Sequence, residues 1–116
     1  MTISSAQLEP LIARYPDAKV AADGARVFVS LPSLHVAVGK QVYVVDALLS
    51  PKDGPGYPTR LYLSQQIAER QTIGTMPANW TCEVIGGRTW YTWSWKDVSQ
   101  TLPLLEMLLA HMRALR

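Results

Sequence analysis

A chain of 116 residues, 48% of them apolar and 17% charged, has the size and balance of one domain with a single hydrophobic core, well away from disordered compositions. The formal charge of +2 is spread along the chain without a basic run, which argues against nucleic acid as a partner, and the one cysteine, Cys82, permits no internal disulfide. No apolar stretch approaches the roughly 20 residues of a spanning helix, and the polar start lacks the apolar centre of a signal peptide, so the sequence predicts a cytoplasmic protein outside the membrane.

Ser4 and Ser5 are N-cap candidates, and behind them Leu8, Leu11, Ile12 and Tyr15 recur at helical spacing until Pro16. This is a short amphipathic helix, with Pro10 expected near its start, where a missing N–H is least costly. Residues 19–22 and 25–31 then read as strands joined at Asp23 and Gly24, a pair suited to a tight hairpin turn. In the second strand Val27, Val29 and Leu31 alternate with Arg26, Phe28 and Ser30, the period of a sheet with two different faces. Pro32 is expected to end that strand, and residues 34–38 and 41–49 form the next pair around Gly39 and Lys40.

Residues 50–58 are dense in turn formers and read as a surface loop. A half-buried strand over 59–64 follows, carrying Leu61 and Leu63 opposite Arg60 and Tyr62, and residues 65–79 show no period. Residues 80–85 and 88–95 read as a hairpin around Gly86 and Gly87, a register that sets Cys82 opposite Tyr91. A closing helix over 102–116 carries Leu102, Leu105, Leu108, Leu109 and Met112 on one broad face, with Thr101 as cap and Pro103 in the first turn. The predicted class is α+β: an antiparallel β-meander flanked by an N-terminal and a C-terminal helix, in one domain spanning residues 1–116.

Chemistry-bearing residues are sparse. His35, His111 and Cys82 lie far apart and lack paired ligand spacing, so neither a metal nor a cofactor is expected. Residues 53–56 carry two glycines but precede no helix pattern, which argues against a phosphate loop. His111 reads as a partly buried helical histidine. Three of the four tryptophans fall in the run from Trp90 to Trp95, where alternation sets Tyr91, Trp93 and Trp95 on one face and Trp90 on the other. Most of that run suits a core, while any ring left exposed would be a protein-binding anchor, and Tyr57 is a further candidate. Cys82 is the one residue able to act as a covalent nucleophile, with Asn79 as an amide donor to an oxyanion; its other reading is a structural cysteine.

The order of elements resembles the ubiquitin-conjugating (E2) and RWD-like fold. The local match runs from Val42 through Ile67, an apolar strand leading to Pro51, then Tyr57 and Pro58, then a second strand. Downstream, Cys82, Trp90 and the leucines of the last helix are similar to the cysteine, tryptophan and leucine-rich helix of conjugating enzymes. The chain departs from the family where Thr59 to Tyr62 replace a proline, and where Met76, Pro77, Ala78 and Asn79 stand for a His-Pro-Asn element without its histidine. The resemblance implies a shortened bacterial E2-like protein, degenerate or an adaptor, in a modifier-conjugation or defence pathway. If active, Cys82 would carry the modifier as a thioester and Asn79 would stabilise the oxyanion. The alternative is a noncatalytic interaction module, such as a small chaperone or complex subunit, using the Trp-rich strand. In either reading the partner is another protein, and the oligomeric state is open.

Overall fold

A computed structural model describes residues 3–52, 57–73, 76–95 and 97–116 of the chain. Helix α1 (Ser5–Arg14) begins at Ser4, whose Oγ accepts the Gln7 N–H at 3.3 Å while Gln7 Oε1 accepts the Ser4 N–H at 3.4 Å, a reciprocal capping box. Pro10 lies inside this helix rather than near its start, removing the bond that an N–H there would make to Ala6. Leu11, fully buried, anchors the helix to the core.

Among the described residues eight strands follow: β1 (Lys19–Asp23), β2 (Arg26–Val38), β3 (Gln41–Ser50), β4 (Arg60–Leu63), β5 (Thr72–Ile73), β6 (Met76–Pro77), β7 (Thr81–Ile85) and β8 (Arg88–Thr92). Six form one antiparallel sheet in the order β1-β2-β3-β4-β8-β7, and β5 pairs with β6 in a separate two-stranded sheet. The protein is therefore α+β, with a meander of four strands extended by the β7–β8 hairpin. Two-residue turns join β1 to β2, β2 to β3 and β7 to β8, and the last has both Gly86 (φ 59°) and Gly87 (φ 80°) in the left-handed region. The first turn is made by Gly24 and Ala25, one residue later than expected, since Asp23 already pairs with Arg26.

Pro32 does not end a strand. β2 runs on to Val38 through a bulge between Leu31 and Leu34, where Ser33 takes φ 53° and donates its N–H to Asp46 Oδ1 at 3.0 Å. The extra residue shifts the side-chain parity, so that Val29 and Leu31 before it and Leu34, Val36 and Val38 after it all enter one core. Of the turn-rich run, residues 53–56 lie outside the described residues, as does Lys96.

Helix α2 (Leu104–Ala114) starts later than the sequence predicts, at Pro103, while Thr101 bonds to Ser99 instead of capping. Its buried face is Leu104, Met107, Leu108 and His111, rotated by about one position from the predicted stripe. Both helices cover one face of the sheet over the main core. On the other face Phe28, Leu48, Tyr62, Ile85 and Trp90 form a second buried cluster. The sheet curls around it until the tips of two hairpins meet, with the Gly86 N–H donating to Asp23 Oδ2 at 3.2 Å.

Candidate functional site

Cys82 lies in β7, the last strand of the sheet, in register with Tyr91 as the hairpin predicts. Its side chain points to the helix-covered side, opposite to Glu83, but the helices stop short of β7, and Cys82 and Val84 are both exposed. Cys82 is therefore an exposed thiol in a regular strand, without the burial usual for a structural cysteine. Among the described residues no hydrogen bond or ion pair reaches the thiol. Asn79, three residues earlier, is exposed with φ 50°, a conformation that asparagine adopts more readily than most residues.

The aromatic candidates separate by burial. Trp93 is 2% exposed, tilted against Trp80 with ring centroids 5.4 Å apart and edge-on at 6.0 Å to His111. Trp90 is 6% exposed in the second core, donates Nε1–H to the Ile85 carbonyl at 3.3 Å, and carries the Arg88 guanidinium 4.7 Å above its ring. Trp90 is buried in the second core and Trp93 in the main core, on opposite faces of the sheet, so neither is the exposed ring that an anchor requires. Trp95 is half-buried beside α2, and Tyr57 is half-buried beneath Arg60, 4.0 Å from its centroid.

His111 is 1% exposed, more deeply buried than the sequence suggests. Thr59 donates its hydroxyl to the Val98 carbonyl at 2.9 Å and so must accept from His111 Nε2 at 2.8 Å, which fixes the neutral Nε2–H tautomer. Burial, with Arg60 adding repulsion, lowers the His111 pKa to about 4. His111 Nδ1 and Trp93 Nε1, an acceptor and a donor, are both buried without a hydrogen-bond partner among the described residues.

Two charged clusters lay beyond sequence reasoning. On the open face Arg26 bonds Glu83 and donates to the Tyr62 hydroxyl at 3.1 Å, which itself donates to Glu83 Oε2 at 3.1 Å. Asp46, which the sequence shows only as an interruption in an apolar strand, binds the Ser33 N–H and, at 3.1 Å, the Arg88 guanidinium. These two donors, the Ser33 N–H foremost, hold the Asp46 carboxyl below its ordinary pKa against a smaller opposing effect of burial. The period-two pattern places such residues on one face but gives no sign of which charges meet.

The chemistry within reach is limited. Cys82 and Asn79 share an open edge where, among the described residues, no basic group is bonded to the thiol, and the buried histidine is bonded to Thr59 instead. No cluster of three or more metal-ligating side chains occurs among the described residues, and no helix is long and apolar enough to cross a membrane. Compared with known proteins, the chain matches no family model, no curated protein and no solved structure.

Proposed function

We propose that the chain is a noncatalytic E2-like, RWD-like adaptor that binds another protein in a bacterial modifier-conjugation or defence pathway in the cytoplasm. The order of helix, four-strand meander and closing helix supports the fold comparison. The observation that carries the noncatalytic part is the place of Cys82: a ladder position opposite Tyr91, with no base or cation among the described residues bonded to the thiol. A cysteine nucleophile draws its reactivity from such a neighbour, and without one it is a surface thiol.

The second reading, a degenerate conjugating enzyme that carries a modifier on Cys82, draws on the exposure of Cys82 and Asn79 at one edge. Alkylation of Cys82 by iodoacetamide between about pH 6 and 9, native against urea-unfolded, separates the two. The adaptor reading expects the native thiol to react no faster than the unfolded one at any pH. Faster native reaction overturns it in favour of the enzyme.

A further inference from the structure

β1 pairs with β2 only as far as Ser30, so beyond the bulge β2 from Leu34 to Val38 has a partner on one side alone among the described residues. Its backbone orientation follows from the ladder. Asp46 turns its N–H to Ser64 Oγ and its carbonyl to the Ser64 N–H, on the β4 side, so Val45 and Tyr43 turn theirs toward β2. Leu34 and Val36 are the hydrogen-bonded partners of these two, and His35 and Ala37 occupy the alternate positions. His35 and Ala37 therefore direct two N–H and two carbonyl groups away from the sheet, and no other backbone group among the described residues takes them up.

Alongside this free edge lies an open hollow of about 310 Å³, walled by Tyr15 at the end of α1 and by Leu109 and Met112 of α2. Its charged side chains are Arg14 and Arg116, both exposed and with no ion pair to a carboxylate among the described residues. Asp17 is the acid of the adjoining hollow, toward Pro32 and away from Ala37. An unpaired strand edge beside an apolar wall offers main-chain bonds and pockets for alternate side chains, the arrangement used to capture an extended peptide.

We infer that this edge binds an extended acidic segment of a partner protein, which adds to β2 as a further strand through His35 and Ala37 and sets a carboxylate against Arg14 and Arg116. A second copy of the chain fits less well, because edge-to-edge pairing would bring the same cations of both copies to one seam. The inference gives the adaptor reading its surface and rests on that reading for binding as the work of the chain. The two fail separately, since Cys82 alkylation reports the one and the β2 edge the other.

The test is an NMR titration of the full chain with two blocked peptides, acetyl-Ser-Val-Glu-Val-Glu-Ser-amide and its lysine counterpart, at millimolar concentration. With the acidic peptide, the His35 and Ala37 amides should shift most and exchange with solvent about tenfold more slowly. Ala37→Pro removes an outward N–H without touching the β2–β3 ladder and should abolish these effects. Arg14→Glu with Arg116→Glu should weaken binding about tenfold, which also serves if the proline variant does not fold. No shift at this edge, equal binding of the lysine peptide, or a wild-type dimer in sedimentation that Ala37→Pro dissolves would each overturn the proposal.

Discussion

Arg26 of β2 and Glu83 of β7 bond to each other although three strands, β3, β4 and β8, lie between theirs in the sheet. In a flat sheet four strand spacings would part them by about 19 Å. Their contact is possible because the sheet curls around Phe28, Leu48, Tyr62, Ile85 and Trp90. The pair itself is about two-fifths exposed on each side, so its net contribution is small, about 0.5 kcal/mol after solvent screening. The apolar filling holds the curl. Trp90→Ala should cost about 3–5 kcal/mol in urea unfolding, whereas the coupling of Arg26→Ala with Glu83→Ala in a double-mutant cycle should stay under about 1 kcal/mol. A larger coupling than the tryptophan loss would reverse that order.

Asp46 holds the bulge that lets β2 pass through Pro32 and keep Leu34, Val36 and Val38 in the core. Its folded pKa is lowered by the Ser33 N–H and by Arg88. A lowered carboxylate stabilises the fold above its unfolded pKa, and that contribution is lost as pH falls through the folded value. Asp46→Asn should therefore cost about 1 kcal/mol near neutrality and flatten the fall in stability below about pH 4. Urea midpoints measured from pH 2 to 7 for both proteins decide it, and parallel curves would count against the assignment.

The features legible in the sequence are those set by residues close along the chain. Gly39 and Gly86 sit in turns where positive φ suits glycine, and Ser4 and Gln7 complete a cap within one helical turn. The features missed depend on distant partners. Pro32 reads as a strand end because nothing local shows that Asp46, 13 residues after Ser33, will accept its N–H. The buried contact of His111 depends on Thr59, 52 residues earlier, and the curl brings together Arg26 and Glu83, 57 apart. Trp90 and Trp93 alternate as two faces predict, but whether either face is wet depends on sheet curvature and helix cover, which periodicity does not encode.

Removing the imidazole tests the polar contact buried under α2. The His111 pKa is lowered to about 4, so between that value and about 6.5 the unfolded chain takes up a proton that the folded one refuses. Stability is therefore full above about pH 6.5 and falls as pH drops toward 4, by on the order of 3 kcal/mol in all. His111→Gln keeps a donor toward Thr59 and has no titrating group, so its urea midpoint should lose most of that slope. A slope unchanged in the variant would place the proton uptake elsewhere. This window lies above the one governed by Asp46, so the two variants flatten different parts of the same curve.

Cys82 closes the comparison between a structural and a surface thiol. A cysteine packed in a core costs stability when replaced, because its sulfur fills volume that serine leaves polar and unsatisfied. Cys82 is exposed on β7, and its backbone, not its side chain, pairs with Tyr91. Cys82→Ser should therefore change stability by less than about 0.5 kcal/mol, and a bulky maleimide should label the native chain without unfolding it. Loss of 2 kcal/mol or more, or labelling only in denaturant, would mean that β7 packs against something at that face. With the thiol free of structural duty, any loss of a binding or conjugating activity in Cys82→Ser could be assigned to its chemistry alone.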